Sequence, residues 1–224
     1  MKRSLPTPIA IDGPAASGKS TLGAELAQRF GYAFLDTGLM YRAVTLAALR
    51  AGLPVDDAAA REFVRRLDLR VEAGATTRIF LGDEDVTDRL RDPEVEANVS
   101  HYSALPSVRE AMVRKQRAIA GKGLAVLAGR DIGTVVLPNA PLKFYLEASE
   151  DARAERRGKQ SGEWGQAQAD ADARRDIHRR DVIDSTRGVA PLRAAPDAVV
   201  IDTTALSLEE VLELALENVQ CASG

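Results

Sequence analysis

The segment Gly13-Pro14-Ala15-Ala16-Ser17-Gly18-Lys19-Ser20 spells G-x-x-x-x-G-K-S, the pattern of a loop that cradles phosphate. Its glycines let the backbone wrap an anion so that successive N–H groups point inward. In that geometry Lys19 reaches the β- and γ-phosphates of a nucleoside triphosphate, and the Ser20 hydroxyl sits on Mg²⁺. The motif demands a strand before it and a helix after it. Pro8 to Asp12 is a short apolar run, and Leu22, Leu26 and Phe30 recur at four-residue spacing before Gly31 stops the pattern. Both conditions are met.

Four further apolar runs follow, at 32–36, 124–128, 142–146 and 198–202. Helical patterns lie between them: 39–50, after Thr37-Gly38 breaks the 32–36 run, then 57–67, 93–100 and 108–119. Ser207 with Glu210 forms a capping box for a last helix to about Asn218. Strands alternating with helices predict an α/β fold, a five-stranded parallel sheet with helices on both faces. Residues 69–72 and 78–81 alternate instead and predict a small antiparallel sheet inserted into that pattern. From Asp151 to Arg187 the chain is densely charged, and Gly158 to Gly165 reads as a mobile tip between two helices. Ligands of such sheets bind beyond the carboxyl ends of the strands, where 13–20, Asp36-Thr37-Gly38 and Gly129-Arg130-Asp131 fall.

The net charge is −3, which argues against whole-molecule attraction to nucleic acid. The lone cysteine, Cys221, permits neither an internal disulfide nor a metal cluster. Residues 1–6 lack the apolar run of a signal peptide, and no stretch approaches the roughly 18 apolar residues of a membrane span. We expect a soluble cytoplasmic protein with no membrane partner, acting as a monomer.

A phosphate loop alone does not define the reaction. A guanine-reading switch needs N-K-x-D and D-x-x-G, and no Asn here precedes Lys and no D-x-x-G occurs. A kinase of a small phosphorylated acceptor brings two polyanions together and needs several cations to offset them. Arg supplies 24 of the 30 basic residues, and it makes forked contacts to phosphate that Lys does not. Candidates are Arg42, Arg109, Arg130, Arg153, Arg156, Arg157, Arg180 and Arg187. Arg130 stands directly after a buried strand, and Arg187 in a defined loop before Gly188-Val189-Ala190-Pro191.

Five segments together resemble bacterial cytidylate kinases, of the nucleoside monophosphate kinase group. They are 11–21 (I-D-G-P-A-A-S-G-K-S-T), 35–42 (L-D-T-G-L-M-Y-R), 107–110 (S-V-R-E), 129–136 (G-R-D-I-G-T-V-V) and 180–192, where Arg180-Asp181 leads through Asp184 to Arg187-Gly188-Val189-Ala190-Pro191-Leu192. The resemblance spans about residues 9 to 202. It implies a single P-loop kinase domain with a core of 1–68 and 96–224, a monophosphate-binding insert at 69–95 and a helical lid within 153–187. It implies ATP on Gly13, Pro14, Ala15, Ala16, Ser17, Gly18, Lys19, Ser20 and Thr21, with Mg²⁺ at Ser20. It implies CMP or dCMP on Thr37, Arg42, Ser100, Arg109, Arg130, Asp131, Arg180, Asp184 and Arg187. Tyr41 would lie against the acceptor or serve as an ordinary core tyrosine. Arg153 and Arg157 would join Lys19, Arg130 and Arg187 at the transferring phosphate.

On this reading the acceptor's phosphate oxygen, already anionic near neutral pH, attacks the γ-phosphoryl in line, and cations rather than a strong base carry the catalysis. Lys19 is expected at a solvent-accessible loop end. Arg109 and Ser100 would read cytosine, with Asp131 taking its amino group. Asp184 would meet the sugar, held there by Arg180. Two other readings fit the phosphate loop: a kinase of adenylate, shikimate or another small acceptor, and an ATP-binding regulatory protein without an acceptor.

Overall fold

The structure is a computed structural model that describes residues 5–161 and 167–222. Five strands, β1 (Ile9–Asp12), β2 (Ala33–Asp36), β6 (Ala125–Ala128), β7 (Leu142–Glu147) and β8 (Val199–Asp202), form a parallel sheet in the order β2-β6-β1-β7-β8. β1 is central, and its end runs into the phosphate loop. Ile11 and Asp36 both pair with Ala128, and Asp12 pairs with Tyr145. The loops that follow β1, β2 and β6 therefore leave the sheet side by side. This register is what brings 13–20, 36–38 and 129–131 to one edge.

Alternation along the strands builds a core on each face. Ile9, Ile11, Val126, Phe144, Leu146 and Ile201 join Leu22 and Leu26 of α1 (Lys19–Phe30) and Val211, Ala215 and Val219 of α8 (Leu208–Ala222). Ala10, Leu35 and Leu127 face the other way. They meet Met40, Ala43 and Val44 of α2 (Thr37–Arg50), Val64 of α3 (Asp57–Arg66), Val95 and Val99 of α4 (Pro93–Ala104) and Val108 and Met112 of α5 (Pro106–Ala120).

Thr37-Gly38 ends β2 as expected, but α2 begins there rather than at Leu39. The Asp36 carboxylate accepts from Gly38 N at 3.0 Å and caps α2, so the helix starts at Thr37. Ser207 and Glu210 exchange backbone-to-side-chain bonds as the reciprocal capping pattern requires. Strands β3 (Leu69–Ala73), β4 (Thr77–Leu81) and β5 (Glu84–Asp85) form the antiparallel sheet. It is tied to the main sheet through β2: Phe34 N donates to Gly74 O at 2.8 Å, and Thr77 Oγ1 bridges Phe34 O and Asp36 N.

The charged stretch forms α6 (Glu150–Ser161) and α7 (Ala167–Thr186), packed on each other, with α7 also against α4. The expected mobile tip falls partly in α6; its remainder, 162–165, lies outside the described residues, as does the start of the stretch read for a signal peptide. Among the described residues no helix is long and apolar enough to cross a membrane.

Phe144 is 1% exposed at the centre of the α1–α8 face. Phe144→Ala should lower unfolding free energy by about 3–5 kcal/mol through lost transfer energy and a cavity. Urea titration followed by circular dichroism measures this, and a loss below about 1 kcal/mol would mean that the face closes over the gap.

Candidate active site

Gly13 opens the phosphate loop at φ 147°, where a Cβ would sit 2.0 Å from Leu146 O, so only glycine lets the loop pass over β7. Gly18 then caps α1 without any side-chain bond, leaving first-turn N–H groups for an anion. Lys19 is not at a solvent-accessible loop end. It is 6% exposed, and its Nζ donates to Pro14 O at 2.5 Å and to Ser17 Oγ at 3.2 Å. Burial and the neighbouring Arg130 push its ammonium well down from the usual lysine range, against Asp36, Asp12 and Asp184.

The loop opens on a cavity of about 240 Å³. Among the described residues eight basic side chains line it, Lys19, Arg42, Arg91, Arg109, Arg130, Arg157, Arg180 and Arg187, against four acidic ones. In a chain of net charge −3 this is a concentrated positive site. Of the loop, Ala15, Ala16, Gly18, Lys19, Ser20 and Thr21 line it; Gly13, Pro14 and Ser17 lie behind. Thr37, Tyr41, Ser100, Asp131 and Asp184 line it as well.

The cations are held by a small set of carboxylates. Asp131 pairs with Arg109 and stands 3.7 Å from Arg187 Nη2. Asp184 accepts from Arg130 Nε at 2.9 Å and lies 3.8 Å from Arg187 Nη1. Arg180 does not hold Asp184: it donates to Glu96 Oε2 at 2.8 Å. Burial lowers Arg180 to about 10, helped by Arg42 and Arg130, and also lowers Arg187. Among the described residues three buried donors, Arg109 Nε, Arg180 Nε and Arg187 Nη2, have no hydrogen-bond partner. Unpaired buried donors are costly, and phosphate oxygens or ring acceptors satisfy them. Tyr41 places its ring 5.5 Å from the Arg109 guanidinium, and burial pushes its hydroxyl up to about 12.

Arg153 and Arg156 do not line the cavity. Arg153 donates to Ala148 O at 3.0 Å and Ala15 O at 3.3 Å and pairs with Asp181, so it braces the phosphate loop from below. Arg156 binds Thr203, whose Oγ1 reaches Ser17 O. Arg157, one turn further on, faces the cavity.

Ser20 Oγ donates to Asp36 Oδ2 at 2.7 Å, two hard oxygens at the mouth of the loop. They suit Mg²⁺, which takes one or two protein oxygens together with phosphate and water. Among the described residues no cluster of three or more His, Cys, Asp or Glu could hold a metal alone.

A family model described as cytidylate kinase matches residues 9–221. The chain belongs to the cytidylate kinase family. It is 45% identical to a cytidylate kinase of Streptococcus equi subsp. equi, over 95% of each chain. It is 48% identical to one from Mycolicibacterium paratuberculosis, over 92% of this chain and 91% of the other, and 42% identical to one from Desulfitobacterium hafniense, over 100% and 97%.

Two features of this family member escape a reading of motifs. One is Glu96, treated below. The other is Asp12, buried at the end of β1, whose carboxylate accepts from Ile132 N at 2.7 Å and Gly133 N at 2.6 Å. It pins the turn after β6, so that Arg130 and Asp131 emerge beside the phosphate loop. Gly129 makes the same turn possible, because a Cβ there would lie 2.6 Å from Thr37 Oγ1. The only signal in the sequence was its place directly before the loop.

Burial pushes Asp12 up from 3.8 to about 6, against the two N–H groups that favour its ionised form. The folded chain thus binds this proton more tightly than the unfolded one. Its contribution to stability grows as pH falls through 6 toward 3.8. Asp12→Asn should cost about 1–3 kcal/mol at pH 7, because an amide turns one N–H toward another. From pH 7 to pH 5 the wild type should gain about 1 kcal/mol relative to the variant. Urea titrations at both pH values decide this, and a pH-independent difference would refute the shifted ionisation.

Proposed function

We propose that this chain transfers the γ-phosphoryl of ATP to CMP or dCMP, yielding ADP and CDP or dCDP. The observation that carries the proposal is a P-loop opening on eight convergent basic side chains, in a chain that matches the cytidylate kinase family over residues 9–221. One nucleotide needs far fewer cations; two polyanions held end to end account for the excess.

In this reading Ala15, Ala16 and Gly18 to Thr21 hold the ATP phosphates, with Gly13, Pro14 and Ser17 shaping the loop from behind. Lys19 moves from Pro14 O to the phosphates, whose charge favours its ammonium. Mg²⁺ bound at Ser20, with Asp36 behind it, would offset charge on the phosphate oxygens. Arg42, Arg130, Arg180 and Arg187 take the acceptor's phosphate, and Thr37 borders it. The attacking oxygen is an ionised phosphate oxygen, so no general base is required; the arginines align it and offset the charge that builds up. Arg157 is our candidate for the transferring group. Arg153 acts through the loop it braces. The insert at 69–95 contributes Arg91 to the cavity, and 153–187 is the lid that shields it from water. Asp184, held by Arg130, accepts from the ribose. We further propose that the enzyme works in the cytoplasm as a monomer, within pyrimidine nucleotide metabolism and on free nucleotides rather than nucleic acid. The lone Cys221 and the net negative charge support this.

Lys19→Met retains side-chain volume in a buried position. It should cut kcat at least a hundredfold, about 3 kcal/mol of barrier, with little loss of stability. Near-normal turnover in a coupled ADP-release assay would remove the P-loop from the mechanism.

Base choice is the second test. Cytosine and uracil share a shape and differ in hydrogen bonding. Arg109 Nε is a buried donor without a partner, suited to cytosine N3 or O2, and Asp131 accepts from the 4-amino group. Uracil would set its N3–H against a donor. CMP and dCMP should exceed UMP by about ten- to a hundredfold in kcat/KM, with purines poor substrates. The same assay over CMP, dCMP, UMP, AMP, GMP and shikimate decides. Equal use of CMP and UMP, or preference for AMP or shikimate, would overturn the assignment, and ATP binding without ADP release under every acceptor would make the chain a non-catalytic binder.

A further inference from the structure

Glu96 lies in the first turn of α4 and is 8% exposed. Its carboxylate is the meeting point of three arginines from three other helices. Oε1 accepts from Arg42 Nη1 of α2 and forms an ion pair with Arg157 Nη2 of α6 at 2.8 Å. Oε2 accepts from Arg42 Nη2 at 3.1 Å and from Arg180 Nη1 of α7 at 2.8 Å. All three arginines line the cavity, and Glu96 does not. It grips them from behind.

Each guanidinium has five donors in a rigid fork. Glu96 occupies two from Arg42 and one from Arg180 and pairs with Arg157, while Arg42 Nη1 also reaches Leu90 O. The remaining N–H groups, including the partnerless Arg180 Nε, are left for other acceptors. Three cations brought this close repel one another, and a buried guanidinium without an anion is costly. One carboxylate resolves both problems and fixes three rotamer-rich side chains at once. Arg42, Arg180 and Arg157 outweigh burial and hold Glu96 down at about 2, so the clamp is charged at every working pH.

We propose that Glu96 is a positioning residue for phosphoryl transfer: it sets Arg42, Arg157 and Arg180 in the orientation that receives phosphate and ties α6 and α7 to α4. The inference rests on the function proposed above, which makes the ligands of these arginines the phosphates of ATP and CMP.

The test compares wild type with Glu96→Gln and Glu96→Asp in steady-state kinetics, and in calorimetric binding of CMP and of cytidine, which lacks the phosphate. Glu96→Gln should lower kcat/KM for CMP about ten- to a hundredfold and weaken CMP binding about tenfold, while cytidine binding changes less than about twofold. In an Arg180→Ala background the same substitution should cost less than about threefold, because the clamp has lost one of its arms. Equal losses for CMP and cytidine, or full additivity with Arg180→Ala, would make Glu96 merely structural and overturn the proposal. Tighter CMP binding by Glu96→Gln would also overturn it, showing a carboxylate that repels the phosphate. If Glu96→Gln does not fold, Glu96→Asp keeps the charge one methylene short; it should show the same CMP-selective loss at smaller amplitude, and a wild-type profile would refute the idea. Wild-type turnover of CMP is the separate control: its absence defeats the functional reading, whereas its presence with unaffected Glu96 variants defeats this inference alone.

Discussion

Like-charge crowding is the problem that this molecule is built around. Seven arginines and a lysine converge on about 240 Å³. A guanidinium taken out of water without a counter-charge is far costlier than any single packing contact. Glu96, Asp131 and Asp184 make the arrangement foldable by lying behind or between the cations. Each carboxylate removes repulsion and, in the same contact, orients an arginine. The site thus arrives organised for polyanions, at the cost of buried ion pairs that would weaken the fold if one partner were lost.

The sheet supplies the fixed frame for those charges. β1, β2 and β6 end in register, and the turns that follow are cross-linked: Asp12 to Ile132 and Gly133, Thr37 Oγ1 to Ala128 O, Ser20 to Asp36. Helices α6 and α7 are joined to it by side chains: Arg157 and Arg180 through Glu96, Asp184 through Arg130, and Arg153 and Arg156 through Ala15 O and Thr203. One half of the site is set by backbone register and the other by ion pairs.

The frame was legible because periodicity and a phosphate loop are local signals. Five apolar runs, the switch to alternation at 69–81 and the capping residues each depend on neighbours within a few positions. The helix reads from Leu39 in sequence, two residues late, because Gly38 is a poor helix former, when Asp36 already supplies the cap at Thr37. Arg153 and Arg157 share a helix face four residues apart, and sequence treats them alike. One helical turn, about 5.4 Å, places the first under the phosphate loop and the second at the cavity. Lys19 was placed in solvent because a loop lysine is usually exposed; the enclosing cavity wall comes from segments far along the chain.

By itself the sequence determined the parallel α/β frame, the identity of the phosphate loop and the family. Each of these follows from residue types at short, invariant spacings. Tertiary structure alone decided which arginines face the ligand, which carboxylate holds each of them, and that Glu96 and Asp12 matter at all. Those answers depend on contacts between side chains remote in sequence, and electrostatic partners at long range leave no periodic trace. Glu96 reads as an ordinary helix acid until α2, α6 and α7 are folded around it.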